Sequence, residues 1–595
     1  MTPRVLDVLV VGGGATGAAL LRDLSMRGAR CLLVDKGDFG TGTSGRNHGL
    51  LHSGARYVVK DEISALQCAR ENAVLSRVAA PAIEPTGGLF VATPDDPPDY
   101  ADGFAAACAR AGVACREIEP AEALRREPAL RPDLRRAFAV SDGAIDPWAL
   151  IELNLRSAVH YGGEALAYHR LVGLQLANGR IVGAELADVR SGSTFRVAPR
   201  MVVNAAGPWA GRVAALAGAE VTLTLGKGAL IVLDRRPVDS VVARCHPPSD
   251  GDALVPVHTV AILGTSSVTV HDPDRYAISP AEIAHLMALG DQLVPSFSAS
   301  RVLRAYAGVR PLYLPRLDEL QPRERAGLAA DPAAAEALAA GRIDSRRLTR
   351  AHRVLDHGPR DGIANLVSIV GGKLTTCRLM AEETADTVAA KLGLGTPCRT
   401  ADEPMGGADG GRPYWLGHRL AEREVAGGGD ADLVCECELV SAGDIERFLD
   451  ERWPCSLDDL RRGTRLGMGP CQGAFCTFRA AARVGERAGG RAATATGERG
   501  LLVAAGGPSP VEIGRVADGP EPPEPGDGPI GPALVDAALV GFLEERFRGV
   551  RPVAWGRQLQ EAWFEAGVYL GVLGVDALVV DGQRPCLPED GRAEL

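Results

Sequence analysis

The chain has 595 residues, a formal net charge of −10, 46% hydrophobic residues and 24% charged ones. That length exceeds what one hydrophobic core supports, so more than one domain is expected, and the acidic balance argues against a nucleic-acid partner. No run of 18 apolar residues is present to span a bilayer, the stretch Val568 to Val580 being short and broken by Asp576, and no charged-then-apolar leader opens the chain.

The first predicted element is the apolar strand-like run Val8 to Val11, which breaks into Gly12-Gly13-Gly14-Ala15-Thr16-Gly17. An amphipathic segment then runs to Gly28, and a second strand-like run, Cys31 to Val34, delivers Asp35. This is a βαβ unit with the pattern G-x-G-x-x-G and an acid 18 positions after its last glycine. Gly12 permits the tight turn, Gly14 lets a pyrophosphate approach the backbone, and Gly17 allows helix to pack on strand. The helix N-terminus offers free N–H groups to an anion, and Asp35 is placed to accept hydrogen bonds from a ribose.

The next stretch, Thr41 to Tyr57, is too polar for core and too rich in glycine for a regular helix throughout. Such a segment suits a cofactor lying against backbone, and favours a flavin over a nicotinamide. Val202 to Gly207 and Leu366 to Gly372 read as further strands that end in glycine turns. In a doubly wound sheet these ends gather at one edge, where ligands bind. The flavin parts are therefore expected at about 1–80, 150–215 and 350–402, with substrate parts at about 80–150 and 215–350. Alternating runs such as Ala229 to Leu233 and Val260 to Leu263 predict an antiparallel sheet there. Leu314 to Arg350, alanine-rich and densely charged, reads as a surface helical insertion with no chemistry.

After this discontinuous 1–402 domain, 403–431 reads as a glycine-rich linker, 432–482 as a cysteine-bearing domain and 483–532 as a second linker, with Pro520 to Pro525 barring regular helix. Residues 533–595 are expected to be helical, their apolar spacing explained equally by core packing or by subunit docking. The 13 cysteines, an odd number, point to a reducing compartment. Four are grouped, Cys435-x-Cys437 and, after 33 intervening residues, Cys471-x4-Cys476. Four thiolates suit a [2Fe–2S] cluster, and the C-x-C spacing suits structural zinc poorly. Zinc and an unmetallated packed set stay open as alternatives, while Cys455 and the other cysteines read as small buried hydrophobes.

Four separated segments carry a family resemblance. They are Gly45 to Tyr57, Val202 to Gly207, Ala307-Gly308-Val309-Arg310-Pro311-Leu312 and Gly371-Gly372-Lys373-Leu374-Thr375. Through them the chain resembles the FAD-dependent glycerol-3-phosphate dehydrogenases, in particular the large catalytic A subunit of the anaerobic, multi-subunit type. The cysteine segment resembles the small bacterioferritin-associated-ferredoxin-like [2Fe–2S] domain. The resemblance implies an α/β fold, with an FAD-binding doubly wound parallel sheet like that of glutathione reductase and D-amino-acid oxidase, an antiparallel substrate domain, a small helical cysteine-cluster domain and a C-terminal helical region. It implies FAD contacts at Gly12, Gly14, Thr16, Gly17, Asp35, Lys36, Thr43, Ser44, Asn47, His48, Gly49, Leu51, Ala206, Gly207, Gly372, Lys373, Leu374 and Thr375.

For the substrate it implies Arg56, Arg310 and Lys373 around a phosphate, with Thr265 hydrogen-bonding nearby, and a cluster on Cys435, Cys437, Cys471 and Cys476. Arginine's planar fork suits a phosphate dianion. Oxidation of a carbinol also needs a proton acceptor, for which His52 is the first choice, acting beside Arg310 and Lys373, and His48 the second. The single-subunit relatives carry a histidine after a Lys-Gly pair; here Ala229 follows Lys227-Gly228, so that base is missing. The implied reaction is oxidation of sn-glycerol 3-phosphate to dihydroxyacetone phosphate. Electrons would leave through a flavin-containing B subunit, then a membrane-anchoring iron–sulfur C subunit, to quinone, placing the chain in the cytoplasm, peripherally on the inner face of the cell membrane. The alternatives are a glycine- or D-amino-acid-type oxidase or dehydrogenase of the same fold and a non-catalytic flavin and iron–sulfur electron-transfer subunit.

Overall fold

From Val8 onward the first strand, β1 (Arg4–Val11), is buried at every position, as expected of an inner strand of a parallel sheet covered on both faces. It pairs in parallel with β2 (Cys31–Val34), Val8 opposite Cys31, and on its other side with the strand Thr194–Asn204, Val8 opposite Met201. The crossover is α1 (Ala15–Met26), so strand, glycine turn, helix and strand follow one another as the glycine spacing predicts. The computed structural model describes residues 3–319, 349–406, 412–426, 429–492 and 530–573. The chain divides into two compact units, Met1–His418 and Arg419–Leu595.

Within the first unit an eight-stranded sheet is built around β1. Glu164–Leu166 extends it in parallel beyond β2, and Leu366–Gly371 pairs in parallel with the second half of Thr194–Asn204, Val202 opposite Leu366. An antiparallel meander, His169–Ala177 and Arg180–Asp188, pairs with the first half of that same strand. The sheet thus draws its strands from 4–34, 164–204 and 352–371. A nine-stranded sheet takes its own from 88–140 and 223–313. Its longest ladder joins Leu223–Leu233 to Val302–Tyr313, and all its pairs are antiparallel except Gly88–Ala92 with Val241–Arg244.

Two expected boundaries differ from the structure. A helix, Leu416–Ala426, lies inside the stretch expected as a linker, because His418-Arg419-Leu420-Ala421-Glu422-Arg423 is made of good helix formers despite its glycine-rich flanks. The helix Cys476–Ala492 runs past the expected end of the cysteine segment for the same reason, its alanines and arginines outweighing the glycines. Most of the expected insertion, residues 320–348, lies outside the described residues, as do 493–529 of the second expected linker.

One buried ion pair locks the first unit together. Arg378 donates from Nε and Nη2 to both oxygens of Glu71, at 2.8 and 2.6 Å, where both side chains are 1% exposed or less. It also bonds Glu382 at 2.7 Å and the Thr400 hydroxyl at 3.1 Å. Removing one member of such a pair strands the other charge away from water. Glu71→Ala is expected to lower stability by about 3 kcal/mol, the low end of the usual range because Glu382 remains. Urea denaturation followed by circular dichroism measures it.

Candidate active site

The carboxyl ends of the parallel strands open into a cavity of about 900 Å³, within the roughly 300–1,000 Å³ typical of small-molecule and cofactor sites. At one end lie Gly12, Gly14 and Thr16, where β1 turns into α1, with Asp35 and Lys36 at the end of β2. The turn is as tight as the pattern requires. A Cβ on Gly17 would stand 1.8 Å from the Gly12 carbonyl oxygen. Gly17 thus lies behind the wall, and the Ala15 N–H at the helix start is held by Ser44 Oγ at 3.0 Å.

Asp35 accepts from the backbone N–H groups of Gly13 at 2.7 Å and Gly37 at 2.9 Å. Burial pushes its carboxyl up to about 6 against the pull of those two donors. Lys36 turns outward, paired with Asp274 at 3.2 Å and stacked over the Trp209 ring. Thr43, Ser44, Asn47 and His48 line the middle of the cavity, as do Ala206, Gly207, Gly372 and Leu374 from two other strand ends. The Thr43 hydroxyl donates to the Val309 carbonyl at 2.5 Å, and Asn47 folds back on Ser44 O and Gly49 N. Gly49, Leu51 and Thr375 stand behind the lining, with the Thr375 hydroxyl accepting from His52 N–H at 3.1 Å.

Basic groups converge at the other end. Arg310 donates to Thr265 Oγ1 and Ser266 O, both at 2.7 Å, and to Ser267 Oγ at 3.3 Å. Arg56 is ion-paired with Asp252, and burial draws its guanidinium down to about 10. The Lys373 ammonium sits 4.5 Å above the Tyr57 ring and donates to the Arg350 carbonyl at 3.1 Å; burial lowers its pKa. Between these cations stand His48 and His52, ring centroids 6.1 Å apart. Desolvation, then the charges of Arg310 and Arg56, hold His48 down to about 4. His52 is driven well below its ordinary value by desolvation and then by His48, Lys373 and Arg56. His48 Nδ1 is buried with no hydrogen-bond partner among the described residues, and His52 Nε2 lies 3.5 Å from the Tyr57 hydroxyl.

The cavity wall also holds residues that no sequence signal singles out. Tyr57, Ser249, Asp252, Thr349 and Arg350 all line it. Arg350 closes the stretch expected to be a surface insertion, yet its N–H bonds Asp61 at 3.2 Å and its carbonyl holds Lys373. Its charge is felt at Arg56, Tyr57 and Lys373. Nothing in an alanine-rich, charge-dense stretch marks its last residue as different from the rest. Asp252 follows Pro247-Pro248-Ser249-Asp250-Gly251, a turn signal that points to a loop but not to a partner for Arg56.

The four grouped cysteines belong to the second unit. All are free thiols. Cys435 and Cys476 are buried in one apolar core, and Cys437 packs against it. No group of three or more His, Cys, Asp or Glu side chains arranged to hold a metal ion is found among the described residues.

The model of the family described as FAD dependent oxidoreductase matches residues 7–386. The chain is 36% identical over 590 residues to the A subunit of the anaerobic glycerol-3-phosphate dehydrogenase of Escherichia coli, covering 96% of this chain and 97% of that protein. With an A1 subunit of the same type of enzyme from Haloferax volcanii it shares 38% identity over 502 residues, 80% of this chain and 82% of the other. Among solved structures, the glycerol-3-phosphate dehydrogenase from Bacillus halodurans complexed with FAD has the same fold, with a TM-score of 0.56 at 22% identity over 82% of this chain and 91% of that one. The chain belongs to the FAD dependent oxidoreductase family and, at this identity over nearly its whole length, to the A subunits of the anaerobic glycerol-3-phosphate dehydrogenases.

The histidines make the cavity sensitive to acid. His48 titrates at about 4 when folded and near 6.5 when unfolded. Between those values the unfolded chain takes up a proton that the folded chain refuses, so stability falls as the pH falls through this window, by roughly 2 kcal/mol at pH 5. His48→Gln is expected to remove His48's share of that slope, leaving the share of His52, and thermal midpoints of both proteins at pH 7 and pH 5 provide the comparison.

Proposed function

We propose that the protein oxidises sn-glycerol 3-phosphate to dihydroxyacetone phosphate, with FAD held in the cavity as immediate acceptor. One observation carries the reading: the glycine turn of a dinucleotide site and four basic side chains, Arg56, Arg310, Arg350 and Lys373, line the same cavity. The donor set fits FAD. A Cβ on Gly207 would project into space with nothing within 4 Å, and the free His48 Nδ1 is a polar atom left for a ligand. The N–H groups at the start of α1 would face the pyrophosphate, Asp35 a ribose, and Thr43 to His48, Ala206, Gly207 and Gly372 to Leu374 the remainder. When bound, FAD supplies a two-electron acceptor for the carbinol hydride.

The rest is done by the chain's own residues. Arg56, Arg310, Arg350 and Lys373 bind the phosphate dianion and orient the carbinol. Thr265, already held by Arg310, would bond the substrate hydroxyls. His52 takes the hydroxyl proton while the carbon-bound hydrogen leaves with its electron pair, so a carbonyl replaces the alcohol. Burial, and then His48 and the surrounding cations, keep His52 neutral before substrate arrives, and the dianion offsets the cations' repulsion of the imidazolium that forms.

The second unit extends the path. Its four thiols suit a [2Fe–2S] cluster that would carry electrons singly. The relatives are named as one subunit of a larger enzyme. That supports an assembly with further subunits, which on the family resemblance would be a flavin-containing B subunit and a membrane-anchoring iron–sulfur C subunit delivering the electrons to quinone. No helix among the described residues is long and apolar enough to cross a membrane. Attachment to the inner face of the cell membrane would therefore go through those partners.

Arg310→Ala and Arg56→Ala are each expected to lower kcat/KM for sn-glycerol 3-phosphate by about 10- to 100-fold, given roughly 1.5–3 kcal/mol for a hydrogen bond to a charged group. Anaerobic flavin bleaching by stopped flow reads this out. A non-catalytic relay would not bleach with this substrate in any variant, and an amino-acid oxidase would bleach with an amino acid instead.

A further inference from the structure

Asp252 is a buried carboxylate on the cavity wall that the proposed reaction leaves unused. Its side chain is 4% exposed and pairs with Arg56, itself 15% exposed. Its own loop fixes the carboxylate, Oδ2 accepting the Ser249 N–H at 2.7 Å and Oδ1 the Ser249 hydroxyl at 3.0 Å. His246 Nε2 lies 2.9 Å from Oδ1, and desolvation, then the charge of Arg244, hold that imidazole down to about 4. Neutral at pH 7, it cancels none of the carboxylate's charge. The loop is tied on both sides. The Arg244 N–H donates to the Asp252 carbonyl at 3.2 Å, and the Arg244 side chain is ion-paired with buried Asp96. The Gly251 N–H donates to the Thr265 carbonyl at 3.1 Å, and the Thr265 hydroxyl accepts from Arg310 at 2.7 Å. One short loop thus joins Arg56 to the partner of Arg310.

A carboxylate beside an anion-binding arginine works against affinity, because it repels the same dianion that the arginine attracts. What it gives is direction. Arg56 meets the loop through Nη2 alone, which contacts Asp252 Oδ2 and the Ser249 carbonyl at 3.5 Å. With that corner held, the Nε and Nη1 donors are presented to a ligand in one orientation of a planar fork. Orientation matters more to turnover than tightness does. Interactions that strengthen ground state and transition state alike leave kcat unchanged, whereas a misplacement of about 1 Å can cost roughly 100-fold.

We infer that Asp252 is a positioning residue of the phosphate site: directly on Arg56, and through Gly251 and Thr265 toward Arg310, it sets the two guanidinium groups in one frame while weakening the hold on any anion. This rests on the reading of the cavity as a site for sn-glycerol 3-phosphate. Asp252 acts through the arginines and touches no reacting atom.

The test uses the full-length protein loaded with FAD, at constant ionic strength. Dissociation constants for inorganic phosphate are measured by titration calorimetry, with Arg310→Ala, expected to bind it more weakly, showing that the heat comes from this cavity. The limiting rate and half-saturation of anaerobic flavin bleaching by sn-glycerol 3-phosphate are read by stopped flow. Asp252→Asn is expected to bind inorganic phosphate roughly 3- to 10-fold more tightly, the scale of one carboxylate's repulsion of a dianion at high effective dielectric. It is expected to bleach about 10- to 100-fold more slowly at saturation. Tighter binding with slower bleaching is the signature, since a merely structural loss would loosen phosphate as well. Asp252→Glu keeps the charge but moves it by one methylene, so phosphate affinity should stay near that of the wild type while the limiting rate falls. That variant decides the matter if Asp252→Asn does not fold, a wild-type limiting rate overturning the proposal. Phosphate bound no more tightly by Asp252→Asn, or an unchanged limiting rate, would overturn it as well. A wild type that binds phosphate but is not bleached by sn-glycerol 3-phosphate would sink the substrate reading instead, and the phosphate comparison alone would then decide the role of Asp252.

Discussion

A Cβ on Gly12 would stand 2.5 Å from the Ala205 carbonyl oxygen. That near-contact between the ends of two parallel strands, far apart in the chain, is the constraint on which the flavin site depends. The Ala205 N–H bonds the Val11 carbonyl at 2.8 Å, continuing the ladder into the turns. Parallel pairing makes the strands finish together, so glycines distant in sequence share one cavity edge. Leu366–Gly371 joins the same edge by pairing in parallel with Thr194–Asn204, which brings Gly372 and Lys373 beside Ala206 and Gly207.

The second sheet supplies charge to the cavity so framed. Arg310 comes from the long strand Val302–Tyr313, and Thr265 and Ser266, which it bonds, follow the strand Val260–Gly264. Asp252, the partner of Arg56, sits just before the strand Ala253–Val257. Burying cationic groups is unfavourable by itself, and the depressed histidines, Lys373 and Arg56 record chiefly that desolvation, with repulsion from neighbouring cations added to it. A dianionic substrate bound there would relieve it, and on the proposed reading, with His52 as proton acceptor, binding and proton acceptance would favour one another.

The second unit follows a different logic. Its second cysteine loop holds Gln472 in the left-handed region, φ 52°, which is costly for a residue with a side chain. Helices from late in the chain bond that loop, Arg546 donating to the Gln472 carbonyl and Tyr569 to the Gly473 carbonyl. Two capping boxes, at Ser441 with Asp444 and at Ser456 with Asp459, start the helices between the cysteine pairs and satisfy their first N–H groups.

Much of this is legible in the sequence, because some features are local. The βαβ unit follows from glycine spacing, strand-like runs and an acid at set intervals, each of which acts over a few residues. Arg56, Arg310 and Lys373 stand out because glycines or a proline lie close to each in sequence, although Arg310 proves to sit within a strand rather than a turn. The helix at 416–426 and the extension of the last cysteine helix to 492 are obscured by nearby glycines, whose local signal outweighs that of the helix formers between them. Arg350 and Asp252 are not legible, since their importance comes from what they face across the cavity. Sequence by itself determined the nucleotide turn, the candidate cations and the four-thiol set, whose chemistry lies in residue type and short spacing. Only the tertiary structure decided that Asp252 engages Arg56, that Arg350 holds Lys373, and that Arg546 and Tyr569 grip the cysteine loop, because side-chain pairing over long sequence separations exists only after the chain has folded.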